Sequence, residues 1–204
     1  MRVAIVGHGP SIKKAKLGDF IDNESDLVVR ISGEYVAYEP VTHGTKTDYM
    51  CSSSRALRRL SLDLKPVNET WIYCPNKIYT SVESLKLPKE CFNVIICTEE
   101  IQPWLIRYKK LNKKWKAVNL NKNSRSTYPY FSCGMASIII ASERIIGMRE
   151  LLLVGFDNLV RGDREDFVSL TKKSDPATSG HNYSVEKQLL DEILYKTGVK
   201  LLVK

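Results

Sequence analysis

The sequence predicts an α/β fold in which a mainly parallel sheet is covered by helices on both faces. Three observations predict it. Short apolar runs rich in Val and Ile alternate with segments of helical period. Two of those runs, Val3 to Gly7 and Leu151 to Gly155, end in a glycine, as strands do before a turn. The 204 residues are 43% hydrophobic and 26% charged, the make-up of one soluble globular domain with a sizeable core.

The elements follow in order. Val3 to Gly7 is a buried strand ending in a turn, and Pro10 opens a helix to Leu17. Strands follow at Asp26–Ile31, Thr47–Cys51, Thr70–Cys74 and Phe92–Cys97, with helices at Ser54–Leu64 and Ser81–Leu85 between them. Glu99 to Lys114 is a basic helix, and Asn119 to Tyr130 is a polar loop. Gly134 to Ile146 is a strongly apolar helix stopped by Gly147. Leu151 to Gly155 is a wholly apolar strand. Residues 158–180 form a long polar stretch without period, read as a flexible lid. Tyr183 to Lys196 is amphipathic, with Val185, Leu189 and Ile193 on one face, and Val199 to Val203 closes as a strand. The expectation is a single Rossmann-like domain over residues 1–204. Ligands of such sheets bind beyond the carboxyl ends of the strands, so the functional residues are expected just after strands.

The net charge of +8 has one address. Between Ile101 and Arg125 stand eight bases and no acid; elsewhere bases and acids balance at 23 each. A localised basic run suits a polyanionic partner, although a solvated lysine face has the same composition. The five cysteines are irregularly spaced, with no CxxC, which supports neither a disulfide framework nor a zinc site; Cys74 and Cys97 read as reduced core thiols. No apolar run reaches the length of a membrane span, and the first apolar stretch is too short for a signal peptide. The expectation is a cytoplasmic protein without stable membrane insertion.

Three constellations carry chemistry. Gly7-His8-Gly9-Pro10-Ser11 follows the first strand and opens a helix, so glycines and exposed amides can approach an anion such as phosphate. It lacks the third glycine of the dinucleotide fingerprint and the Lys of a P-loop, and a plain tight turn reads the same way. Ser132-Cys133-Gly134 heads the apolar helix, and Asp157 ends Val154-Gly155-Phe156-Asp157, where a carboxylate can reach a ligand hydroxyl or merely form a turn. His181 follows the lid, with Glu186 five residues on, and a neutral imidazole there can act as general base or stand as a surface histidine near a cap. His43, in the loop Thr42-His43-Gly44-Thr45, reads as structural.

Taken in this order, the chain resembles the sialyltransferases, especially the compact bacterial ones. These begin strand-Gly-x-Gly-Pro-Ser, as in Ile5 to Ser11, and continue with a strand ending in Arg and a polar residue, as in Asp26 to Ser32. A Ser-x-Gly helix then precedes a strand ending Gly-x-Asp, as in Ser132 to Asp157, and a His-x4-Glu motif matches His181 to Glu186. The resemblance spans most of the chain with different loop lengths. It implies an inverting, metal-independent glycosyl transfer from a nucleotide-activated sugar, a CMP-sugar, with no cofactor beyond that donor. Gly7, His8, Gly9, Pro10 and Ser11 would line the phosphate and ribose, with Ser32 alongside. Ser132, Cys133, Gly134 and Asp157 would hold the cytidine or sugar side. His181 would take the proton of the acceptor hydroxyl.

There are departures. The family often has Asn at the places of His8 and Ser32. The compact members place Arg near the position of Tyr130, and tyrosines where this chain has Asn158 to Gly162. Arg161 or Arg164 would then hold the leaving phosphate. These changes bear on the donor sugar more than on glycosyl transfer.

Arg107, Lys109, Lys110, Lys113, Lys114, Trp115 and Lys116 are the candidate acceptor-binding residues. With Trp104 and Tyr108 they interleave bases and rings, a pattern that suits nucleic acid such as hydroxymethylated phage DNA; an anionic glycan attracts the same charges. Two alternatives stand beside the transferase. One is a metal-dependent pterin diphosphokinase-like enzyme, and the other a non-catalytic nucleic-acid-binding module on the same scaffold.

Overall fold

The structure, a computed structural model, describes residues 1–7, 9–31, 39–53, 68–73, 93–118, 130–156 and 182–204, with backbone alone at 10, 13 and 115–118. Its strands are β1 (Arg2–Val6), β2 (Leu27–Ile31), β3 (Tyr49–Ser53), β4 (Glu69–Tyr73), β5 (Val94–Ile96), β6 (Glu150–Val154) and β7 (Lys200–Val203). Its helices are α1 (Pro10–Ala15), α2 (Gly18–Glu24), α3 (Pro40–His43), α4 (Thr98–Val118), α5 (Cys133–Arg144) and α6 (Tyr183–Thr197).

The strands form one seven-stranded sheet in the order β5-β4-β3-β2-β1-β6-β7. Every neighbouring pair is parallel. The α/β class therefore stands. From β1 the chain builds outward to β5, then returns to β6 on the other side of β1. The carboxyl ends of β1 and β6 thus form the switch point at which open parallel sheets leave a crevice.

The unbroken Val/Ile/Leu pattern of β1 and β6 is what a strand buried on both faces requires. On one face Val3, Ile5, Val29, Trp71 and Leu153 pack under Ile138, Ile139, Leu189 and Ile193 of α5 and α6. On the other, Ala4, Val6, Val28, Leu152 and Val154 pack against Ile12 of α1 and Ile21 of α2.

Two helices depart from the sequence expectation. Residues 18–24, left unassigned by period, form α2, where a Cβ on Gly18 would collide with the Pro40 carbonyl of α3. The glycine there is a packing requirement rather than a helix breaker. The turn containing His43 is the short α3, and His43 is buried with its carbonyl accepting from Arg30 Nη1 at 2.9 Å, the structural role expected of it. The expected helices at 54–64 and 81–85, the loop at 119–129 and the lid at 158–180 lie outside the described residues, as does Cys74. Cys97 is a buried core thiol that burial pushes up to about 12.

Candidate functional site

At the switch point the loops after β1 and β6 are joined. The Gly7 amide donates to the Val154 carbonyl at 2.8 Å, and the Gly9 amide to the Gly155 carbonyl at 2.8 Å. A Cβ on Gly7 would stand 2.6 Å from the Gly155 oxygen and 3.1 Å from the Phe156 ring. Gly155 adopts φ +71°, a left-handed conformation that favours glycine, and a Cβ there would lie 3.1 Å from the Gly9 nitrogen. A Cβ on Gly134 would meet the far edge of the same Phe156 ring at 2.9 Å. Phe156 therefore sits between Gly7 and Gly134 and fills the space their missing side chains leave. These two glycines bring protein against protein, and the Gly7 and Gly9 amides are already spent on carbonyls. That differs from the expectation that they lie open to a phosphate.

The head of α5 is fixed differently. Ser132 is its N-cap, its Oγ accepting from the Met135 amide at 3.2 Å. The Ser132 amide donates to Glu186 Oε1 at 2.8 Å and its hydroxyl to Glu186 Oε2 at 2.7 Å. Glu186 lies fully buried in the first turn of α6. Burial pushes its carboxyl up to about 7 against the lowering pull of the two Ser132 hydrogen bonds. Among the described residues this leaves the amides of Cys133 and Gly134 as the helix-start donors without an acceptor. The Cys133 thiol turns inward toward the Cys51 carbonyl at 3.7 Å. Ser11 lies in the first turn of α1, half-buried.

Helix α4 runs antiparallel to both α5 and α6. Its first turn meets the end of α5 through Glu100 and Arg144 at 2.7 Å. Farther along, Tyr108 meets Phe131 edge-on, with centroids 5.8 Å apart. Against α6, Trp104 lies under Lys196 Nζ at 5.7 Å, Arg107 makes a two-bond contact with Glu192 at 2.6 and 3.0 Å, and Asn112 Oδ1 accepts from Asn182 Nδ2 at 3.0 Å. Helix α6 ends just before Lys200, which pairs with the first residue of β6, so α6 begins at the carboxyl edge of the sheet. The last turns of α4, carrying Lys109, Lys110, Lys113 and Lys114, are thereby brought to that edge.

Of the sequence-predicted residues, Gly7, Gly9, Pro10, Ser11, Ser132, Cys133 and Gly134 gather at the carboxyl edge. His8, Ser32, Asp157 and His181 lie outside the described residues, as do Arg161 and Arg164. Their described neighbours Gly7, Ile31, Phe156 and Asn182 all stand at this same edge. Asn182 caps α6, its Oδ1 accepting from Val185, while its own amide donates to the Tyr108 hydroxyl at 3.3 Å. Lys109, Lys110, Lys113 and Lys114 are exposed, Arg107 is held by Glu192, and Trp115 and Lys116 continue α4. Of the rings that suggested base stacking, Tyr108 is fully buried and Trp104 packs against the core, while the side chain of Trp115 lies outside the described residues; Phe131, which Tyr108 meets, is also fully buried. The sequence reading missed Glu186 as the anchor of Ser132, although its place in the His-x4-Glu motif was the available signal. It also missed Asn112 and Phe156. Among the described residues, no three of His, Cys, Asp and Glu gather as metal ligands, and no helix is long and apolar enough to cross a membrane.

No protein-family model and no curated protein sequence matches the chain. Among solved structures it is similar to a mammalian sialyltransferase, with a TM-score of 0.58 and 16% identity over 98% of this chain and 68% of that one. It is equally similar to a mammalian sialyltransferase in complex with Gal-beta-1-3GalNAc-ortho-nitrophenol, with a TM-score of 0.57, 16% identity and the same coverage. At that identity the likeness is one of fold: nearly the whole chain follows the architecture of these sialyltransferases.

Proposed function

We propose that the chain is an inverting glycosyltransferase of sialyltransferase type, moving a sugar from a CMP-linked donor to a hydroxyl of a glycan without a metal. The observation that carries this reading is the pair of hydrogen bonds from Ser132 to Glu186. They join the Ser-x-Gly segment to the His-x4-Glu segment at the carboxyl edge, where such a sheet takes a ligand. The sialyltransferase fold over nearly the whole chain supports it.

In this reading the donor's anionic leaving group faces the free amides of Cys133 and Gly134, with Ser11, His8 and Ser32 on the β1–β2 side and Asp157 reaching a donor hydroxyl. Backbone donors held in place before reaction stabilise the charge that develops as the nucleotide departs. His181, the residue before the α6 cap, takes the proton from the acceptor hydroxyl. The acceptor oxygen forms the new bond at the anomeric carbon as the bond to the CMP phosphate breaks, and CMP leaves carrying the electron pair. Glu186 is a positioning residue, because it acts through Ser132. A glycan is favoured over DNA as acceptor because Tyr108 and Phe131 are buried and offer no face to a base.

The test is transfer from CMP-sugars to a panel of glycan acceptors by wild type and His181→Ala, each checked for folding by circular dichroism. The expected result is metal-independent transfer by the wild type and loss of roughly 100-fold or more in the folded variant. Full activity in His181→Ala would remove the assigned base. Activity that requires ATP and a divalent metal would instead support the diphosphokinase-like alternative.

A further inference from the structure

The basic helix has a surface that the transfer chemistry does not use. Taking Ile106 as origin at 100° per residue, Lys109, Lys110, Lys113 and Lys114 fall within an arc of about 140° that includes Ile106. The buried residues Ile101, Leu105, Tyr108 and Asn112 occupy the opposite side and face α5 and α6. Ile106 is 60% exposed and the four lysines are exposed. Among the described residues none of the four lysines makes an ion pair, whereas Arg107 beside them is held by Glu192. No carboxylate occurs from Ile101 to Arg125 to offset them.

We propose that this face of α4 docks on an anionic lipid surface, with Ile106 entering the headgroup boundary and the four lysines meeting lipid phosphates and carboxylates. Three features favour lipid over nucleic acid. Arg107, the arginine of α4 and the residue type suited to bidentate phosphate contact, is committed to Glu192. Among the described residues of α4, Tyr108 is buried and Trp104 packs against the core beneath Lys196, so neither ring offers a free stacking face. An exposed isoleucine followed on the same face by long-stemmed lysines is the pairing by which helices lie on charged membranes, the apolar group adding to the electrostatic attraction. Because α4 ends at the carboxyl edge, docking there would present the site to an acceptor carried at the membrane. That last step rests on the proposed transferase function; the docking itself does not.

The test is co-sedimentation of the full chain with vesicles of phosphatidylcholine alone or mixed with phosphatidylserine, with no donor or acceptor present. Its failure is therefore separate from any failure of the transferase reading. Binding is expected to the mixed vesicles and not to phosphatidylcholine. Lys110→Ser/Lys113→Ser should weaken it about 25-fold, at about fivefold per lysine. Lys14→Ser/Lys200→Ser, with the same net charge, should leave it unchanged. Ile106→Ser should weaken it about tenfold with no change of charge. The proposal is overturned if mixed vesicles do not bind or if both lysine pairs act equally. It is also overturned if Ile106→Ser is without effect while duplex DNA displaces the vesicles, which would make the face a nucleic-acid site.

Discussion

Glu186 accepts both the amide and the hydroxyl hydrogen of Ser132, at 2.8 and 2.7 Å, across 54 residues of sequence. This contact ties the first turn of α6 to the head of α5. It sets the direction in which the Cys133 and Gly134 amides point. It also buries a carboxyl that holds its proton up to about pH 7.

That carboxyl should make stability fall with pH. The native state keeps a proton that the unfolded chain releases near pH 4.3, so between there and about pH 7 the native state binds more protons and loses stability as pH rises. The accumulated cost is about 3 kcal/mol at neutral pH. Glu186→Gln cannot titrate, so urea unfolding followed from pH 4.5 to 8 should lose this slope in the variant. Identical slopes in the two proteins would show that Glu186 is ionised in both states.

Gly155 and Gly147 separate conformational strain from packing. Both have positive φ, +71° and +80°, but a Cβ on Gly147 has nothing within 4 Å while one on Gly155 crowds Gly7 and Gly9. Gly147→Ala should cost about 1 kcal/mol for the left-handed backbone alone. Gly155→Ala should cost about 2–3 kcal/mol and also weaken nucleotide binding, because it pushes the β1 and β6 loops apart. Chemical unfolding of the two variants reads the difference directly.

Arg30, fully buried at the end of β2, donates to the carbonyls of His43 and Lys46 and to Thr47 Oγ1 at 2.8–3.0 Å. It ties the chain after α3 to the sheet. Arg30→Met keeps much of the volume but leaves those carbonyls without their donor, and should cost about 3 kcal/mol or more. Lysine, with a single donor point, should not rescue it. A variant within about 0.5 kcal/mol of wild type, the usual scale for surface changes, would mean water replaces the guanidinium.

The thiols of Cys51 and Cys97 are buried, and burial raises both. Alkylation at pH 8 followed by mass spectrometry should modify them only as fast as the protein unfolds, so mild urea should accelerate both together. Rapid labelling in the native state would contradict the packing of β3 against α5 at Cys51, or the burial of the β5–α4 junction at Cys97.

Much of the fold is legible because buried parallel strands are continuous apolar runs. Leu151 to Val154 and Val3 to Val6 can be little else, and Val185, Leu189 and Ile193 repeat at helical period and are all buried. Helix α2 is not legible, since Gly18 and the Asp/Asn content of residues 18–24 argue against a helix until Gly18 is seen packed against α3. The site is legible as positions rather than contacts. Sequence places Ser132 and Glu186 in two motifs but not in one hydrogen-bonded unit, because contacts between distant segments leave no local period. For the same reason Gly7 and Gly134 read as openings for a ligand, while the structure fills both spaces with Phe156. The direction of α4 also has no local signature: it follows from Glu100 meeting Arg144 and Asn112 meeting Asn182.

The most direct test of the central claim is thermal stabilisation by nucleotides. CMP, UMP, UDP and ATP with magnesium would be added separately to the wild-type chain. The account predicts selective stabilisation by CMP without a divalent metal, of about 5–10 °C at a hundredfold excess over Kd. No shift with CMP, together with a shift for ATP that appears only with magnesium, would contradict it.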